Sequence, residues 1–461
     1  MEMEKVKTEL SKIFLEFCLK KGYTTCFIHV SKYNKETKEF DTFIDSSAGI
    51  PYIRVVGDSF LKRGSERSNI FSCTKSIVGF YILLEYLTNG LPIDVPLYET
   101  VFKGLSDVLP NDIEKLSHKC IATYLNHTSG IVTGTMKKNS DGFGEAWNVY
   151  LMGKFIDSYE ALKRGVWFNH VEWKNDKPCD FAYNNYGSQI GALMAEIYIR
   201  SVQKMKFHQR PFMLKDACLE TFFQNTNVKN EHWPAKDEGE AIGHSSGFSG
   251  LQLTGYNMVE FAHLIFTRFY APLFFLTDSK NKYVTHKGVV MQNKFVVEDA
   301  NDRNVDPGYS TNHRYKYCLG WWIPKIGVAV SSDTNNNNNN NNNNSNEDDS
   351  SYFHFKGKKA KVKKNYISAQ GWFGQRICFN LENGMIAVRK TYENVGTILK
   401  ASAQETFEQL PNNKHPSFIW HFSAFEDALY HLFELFEGGK QPSNQIIQDL
   451  INDFKEFLLD K

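Results

Sequence analysis

Residues 69–92 read NIFSCTKSIVGFYILLEYLTNGLP. A polar loop leads into Ser72, a strongly apolar helix is predicted over Ser72 to Asn89, and Gly90 with Pro92 supplies the stop. On such a helix residues three apart share a face, so the Lys75 amine can reach the Ser72 hydroxyl. The positive helix end and the apolar surroundings both favour a neutral amine, which is the form a base needs. A plainer reading of the same residues makes Ser72 a helix N-cap and Lys75 a solvated first-turn side chain. Spacing alone does not choose between them, because Ser-x-x-Lys also occurs at Ser59, Ser201 and Ser279.

Outward from this helix the pattern is mixed. Residues 4–20 carry Leu10, Ile13, Phe14, Phe17 and Cys18 on one helical stripe, and 24–31 and 39–45 read as strands about the turn Asn34-Lys35-Glu36-Thr37. From there to about 265 the chain is mostly helical, clearest over 187–206 and 255–269. Strands return at 317–323, 326–332, 375–381 and 385–390, and helices close the chain near 402–409, 423–437 and 443–459. Strands flanking a long helical insertion make an α+β fold. The Asn335–Asn344 tract and the acidic patch after it cannot bury apolar surface, so about 333–351 reads as a disordered surface loop. The basic stretch Lys356–Lys364 beside it has no interleaved aromatics and reads as a solvated flank of that loop.

The 461 residues can bury a large core, and 42% hydrophobic with 23% charged is ordinary for a globular protein. A formal net charge of +1 argues against a nucleic-acid or membrane-surface partner. The eight cysteines show no CxxC spacing and read as buried free thiols. The N-terminus lacks the apolar core of a secretory signal, and no segment approaches the length of a spanning helix. A cytoplasmic protein is the simplest expectation.

Residues 120–131, CIATYLNHTSGI, stand next to the 69–92 stretch in meaning. Together the two strongly resemble the serine β-lactamase and penicillin-recognising esterase superfamily, with its SxTK helix and its LLxHTSGL segment. Asn126 to Gly130 matches the latter, and Leu91 to Pro96 stands for the turn between them. In that family the stretch holding His127 is structural. The next family element is Tyr-x-Asn or Tyr-x-Ser. Tyr-x-Asn occurs at Tyr124, Tyr183 and Tyr392, and FAYNNYGSQIGALMAEI gives Tyr183 the family context. Tyr186-Gly187-Ser188 overlaps it three residues on, so both registers stay open. Residues 243–265 resemble a further family segment, with Asn257 in place of its usual Asp, a change expected to alter a helix cap. Residues 317–323 resemble "YGYGWWV", and 367–388 resemble the strand pair that carries Lys-Thr-Gly or His-Thr-Gly. Here that triplet is Ala369-Gln370-Gly371, without the cation that would grip a substrate carboxylate.

The resemblance covers roughly residues 20 to 395. It implies an antiparallel sheet flanked by the N- and C-terminal helices plus a helical subdomain at about 76–265, in a β-lactamase/transpeptidase-like domain over 1–400. The helices of 401–461 would pack on it. It implies acyl transfer by a Ser72 nucleophile with Lys75 and Tyr183 as the bases, and Asn185 positioning Lys75 and substrate. The backbone N–H groups of Ser72 and Trp372 would hold the oxyanion, with Gln370 beside the substrate and Gly371 allowing close approach. No metal or organic cofactor is implied. The missing cation favours a small-molecule ester or amide substrate over a β-lactam, as in relatives resembling the aminohexanoate-dimer hydrolases. The competing expectation is a catalytically silent relative that keeps the fold for binding or for assembly, with 418–436 as an interface. Oligomeric state is left open.

Overall fold

A computed structural model describes residues 25–49, 67–103, 118–130, 181–202, 213–233, 236–237, 240–241, 247–268, 282–284, 290–292, 295–297, 315–324, 352–355, 358–361, 366–371, 375–380 and 384–391. Residues 8–9, 11–12, 445, 448 and 451–452 are also described, and are helical. Its strands are β1 (Thr25–Tyr33), β2 (Phe40–Gly49), β3 (Ser68–Asn69), β4 (Lys236–Asp237), β5 (Glu240–Ala241), β6 (Gln252–Leu253), β7 (Lys282–Val284) and β8 (Val290–Gln292). They continue with β9 (Tyr315–Cys318), β10 (Trp321–Pro324), β11 (Tyr352–Phe355), β12 (Lys358–Lys361), β13 (Tyr366–Gly371), β14 (Gln375–Asn380) and β15 (Met385–Thr391). The helices are α1 (Cys73–Asn89), α2 (Ile121–Leu125), α3 (Asn185–Val202), α4 (Leu214–Phe223) and α5 (Gly255–Thr267).

Seven strands form one sheet in the order β2-β1-β15-β14-β13-β10-β9, with every neighbour antiparallel. The α+β class is therefore the one the sequence predicts. Register places Phe27, Lys390, Val388, Ile377 and Ala369 on one face, because directly paired residues share a face. That face meets α1 and α5 and forms the main core with Ile77, Phe80, Phe261 and Ile265. Ile28, Val30 and Cys378 point the other way and are also buried, so the central strands are apolar on both faces.

Helix α1 is buried from Cys73 through Glu85, centred on the apolar run Ile77–Leu84. It ends at left-handed Gly90 (φ 71°), whose N–H reaches back to Glu85. At α5 the Thr254 hydroxyl accepts the Asn257 N–H at 2.9 Å, and the Asn257 carboxamide oxygen accepts the Thr254 N–H at 3.3 Å. This is a reciprocal cap. The Asn257 amide nitrogen then donates to Asn227 (3.1 Å) and Glu260 (3.0 Å), which an Asp could not do.

Two expectations need correction. Residues 317–323 are not one strand: Leu319 (φ 45°) and Gly320 (φ 96°) turn the chain between β9 and β10. The basic stretch 356–364 is not all loop, since 358–361 pairs with 352–355. The predicted strand 326–332, the Asn tract, and the helices 402–409 and 423–437 lie outside the described residues. Among the described residues, Cys73, Cys218, Cys318 and Cys378 are buried and Cys120 is half-buried, and none of them is joined in a disulfide.

Candidate active site

Ser72 follows a turn built by Asn69. The Asn69 carboxamide oxygen accepts the Phe71 N–H at 2.7 Å and the Gly250 N–H at 3.3 Å, while the Ile70 N–H donates to Leu251 O at 2.9 Å. This holds Phe71 in the left-handed region (φ 49°), at a cost of about 1 kcal/mol or more for a residue with a Cβ. The chain then enters α1 at Ser72 with helical dihedrals and with no capping bond from its side chain. Instead the Ser72 Oγ accepts a hydrogen bond from Lys75 Nζ at 2.9 Å. No hydrogen bond among the described residues takes the Ser72 N–H, so that donor is open to a ligand oxygen.

Lys75 is 3% exposed. Besides Ser72, its Nζ donates to the Asn185 carboxamide oxygen at 2.8 Å and to the Phe248 carbonyl at 3.3 Å. The nitrogen lies 4.9 Å from the centre of the Tyr183 ring and 5.7 Å from that of Phe248. The N-cap and solvated-lysine reading of these two residues is thereby overturned: the serine caps nothing and the lysine is sealed in. Sequence reasoning gave no role to the Phe248 carbonyl, since a backbone oxygen leaves no side-chain signature.

The turn after α2 fastens the rest of the site. Asn126 accepts the Leu319 N–H (2.7 Å) and donates to Phe295 O (2.6 Å), pinning the β9–β10 turn. That turn is pressed onto α1. The Ser76 hydroxyl donates to Gly320 O at 2.6 Å, and Cβ atoms added at Gly79 and Gly320 would collide with the Leu319 and Lys75 carbonyls. His127 (φ 57°) is 1% exposed and faces the segment that carries Tyr183. Burial, then the nearby Lys75, pushes its pKa well below the ordinary value, so the ring is neutral. Its Nδ1 accepts the Asn184 N–H at 3.3 Å, which leaves the proton on Nε2 to be donated to Tyr317 Oη at 3.1 Å. A ring engaged on both nitrogens is not a free base.

At the end of strand β13, Gly371 lies against the turn that leads into Ser72. A Cβ there would collide with Ile70 O and come within 3.1 Å of Cys73 Sγ. The close approach is therefore between two parts of the chain. Burial pushes the Cys73 thiol up to about 12, so the residue beside Ser72 offers no thiolate. Gln370 points to the opposite face, where its Nε2 donates to Ser368 Oγ at 3.1 Å. Its side chain makes no contact with Ser72 or Lys75 among the described residues. Ala369 is fully buried. The structure thus brings Ser72, Lys75, Tyr183 and Asn185 together, with Gly371 against their turn, and sets the Gln370 side chain apart. Trp372 and the Tyr186 side chain lie outside the described residues.

No group of three or more His, Cys, Asp or Glu among the described residues is arranged to hold a metal, and no helix there is long and apolar enough to cross a membrane. The fold and site define an α+β protein with a Ser-x-x-Lys pair at the head of a buried helix. No family model and no curated protein matches the sequence. Solved structures do align with it at low identity. The octameric penicillin-binding protein homologue from Pyrococcus abyssi is 14% identical over 92% of this chain and 82% of its own, with a TM-score of 0.46. A Bacillus anthracis protein assigned as a 6-aminohexanoate-dimer hydrolase is 13% identical over 86% and 82%, with a TM-score of 0.43. The D-amino acid amidase from Ochrobactrum anthropi SV3 is 12% identical over 83% and 90%, with a TM-score of 0.42.

Proposed function

We propose that the chain is a serine hydrolase acting on a small ester or amide through an acyl group carried on Ser72. The observation that carries the reading is the three-point hold on Lys75. Asn185 and Phe248 each take one N–H of the amine. The third direction faces the Ser72 Oγ, and in the neutral amine that direction holds the lone pair.

In that state the Ser72 hydroxyl donates to Lys75. Oγ bonds to the substrate carbonyl carbon as its proton moves to Nζ, and the carbonyl electron pair moves onto oxygen. The open Ser72 N–H is one donor for that oxyanion, and the Trp372 N–H is assigned as the second. Collapse breaks the bond to the alcohol or amine, which leaves with a proton relayed from Lys75 through Tyr183. Water then attacks the acyl carbon, with Tyr183 or Lys75 taking its proton, and collapse breaks the bond to Ser72 Oγ, which takes that proton back as the acid product leaves. Ala369, small and buried, gives no grip on a substrate carboxylate, which supports esters and amides over β-lactams.

The test is hydrolysis of p-nitrophenyl esters, D-amino-acid amides and nitrocefin by wild type and Ser72→Ala. The expected result is turnover of an ester or amide that Ser72→Ala lowers by at least about 10³-fold. Equal turnover by both proteins would contradict the reading.

A further inference from the structure

Four consecutive residues, 181–184, are each held by His127. Its ring meets Phe181 edge-on at 5.6 Å and lies 4.5 Å from the Tyr183 ring, centre to centre. The His127 carbonyl accepts the Ala182 N–H at 2.9 Å, and its Nδ1 accepts the Asn184 N–H at 3.3 Å. Tyr183 is therefore bracketed on both sides by backbone bonds to one residue, and its ring is backed by that residue's imidazole. A second aromatic support is Trp322, stacked on Tyr183 at 5.7 Å.

His127 is itself anchored. Its Nε2 is tied to Tyr317 in β9, two residues before the Leu319–Gly320 turn, and its neighbour Asn126 holds that turn. Asn184 continues the chain of contacts by accepting the Gly187 N–H at the start of α3, where Asn185 meets Lys75. A displacement of His127 thus reaches Tyr183 and Asn185 together, without any contact from His127 to the reacting atoms.

We infer that His127 is a positioning residue, whose ring and carbonyl set the Tyr183 side chain against Lys75. The inference rests on Tyr183 serving the reaction proposed above. Its signature is coupling: replacing His127 harms the reaction only while Tyr183 has a phenol to misplace.

The test uses His127→Asn and His127→Gln, each alone and combined with Tyr183→Phe. Asn tolerates the left-handed backbone and keeps a short acceptor for the Asn184 N–H; Gln reaches toward Tyr317 but gives up that acceptor. The rate of Ser72 acylation by a fluorophosphonate is expected to fall about 100-fold in His127→Gln and about 10-fold in His127→Asn, within the range a misplaced general base commands. In the Tyr183→Phe background both are expected to change the rate by less than about twofold. A rate within twofold of wild type in His127→Asn, or a loss of equal size with and without the Tyr183 phenol, would overturn the inference. If His127→Gln does not fold, the His127→Asn cycle alone decides.

A second readout needs no turnover. The Tyr183 ring resonance, assigned by its loss in Tyr183→Phe, is expected to shift or broaden in His127→Asn. An unmoved resonance would overturn the positioning role. Absence of wild-type labelling at Ser72 would instead count against the proposed hydrolase, and the resonance would still decide on His127.

Discussion

Lys75 Nζ and the Asn185 carboxamide oxygen lie 2.8 Å apart across 110 positions of sequence. The contact joins the first turn of α1 to the first residue of α3, so the amine that meets Ser72 is held by two separate helices. A neutral amide can orient the amine without demanding that it be charged. A carboxylate at the same place would demand it.

Asn185→Asp is therefore expected to keep the fold and to move the acid limb of the pH–rate profile to higher pH. An ammonium paired with a carboxylate gives up its proton less readily, so the limb should rise by about one pH unit and activity near neutrality should fall by about 10-fold. The profile of initial rates from pH 5 to 10 checks this. A limb that stays in place, or moves to lower pH, would show that Asn185 does not control the protonation of Lys75.

The β9–β10 turn makes a prediction about stability. Gly320 combines φ 96° with a Cβ position occupied by the Lys75 carbonyl, so Gly320→Ala suffers both strain and overlap. A loss of about 3 kcal/mol or more is expected, from the backbone strain and the overpacking together. Denaturant unfolding measures it. A change under about 1 kcal/mol would mean that α1 and this turn are not in close contact.

Lys390 makes the third prediction. It is fully buried on β15, where its Nζ donates to Ser68 O of β3 at 3.1 Å, and burial pushes its pKa down to about 7. The unfolded chain holds this proton up to about 10.5, so between the two values the unfolded state binds more protons. Stability from this group is complete above the unfolded value and is lost as pH falls to about 7. Lys390→Met removes the dependence. The difference in unfolding free energy is expected to favour Lys390→Met most at pH 7 and to shrink toward pH 10, changing by no more than about 1.4 kcal/mol per pH unit. A difference independent of pH over that range would contradict the assignment.

Much of this was legible in the sequence, for physical reasons that differ from place to place. Helix α1 was legible because an apolar run ending in Gly90 has few other solutions. Strands β1, β14 and β15 were legible from β-branched and aromatic runs of strand length. The turn at Leu319 was not, because a leucine at φ 45° inside an aromatic run carries no turn signal; only its contacts with Asn126 and Gly79 explain it. Strand β12 was hidden by its lysines, which suit an exposed edge as well as a loop. At the site, the motifs named Ser72, Lys75, Tyr183 and Asn185, which carry distinctive side chains. Asn69 and the Phe248 carbonyl went unread, since one is an ordinary loop residue and the other a backbone atom. Gln370 was placed with the site by its position in a triplet, and strand alternation turns its side chain away.

The central claim is that Ser72 is the nucleophile and Lys75 its base. The most direct measurement is peptide mapping by mass spectrometry of the wild-type chain and Lys75→Met after treatment with a fluorophosphonate. The expected result is one adduct on Ser72 in the wild-type chain, formed at least about 10²-fold more slowly in Lys75→Met. An adduct on another residue, or labelling of Ser72 at the same rate without the lysine, would contradict the account.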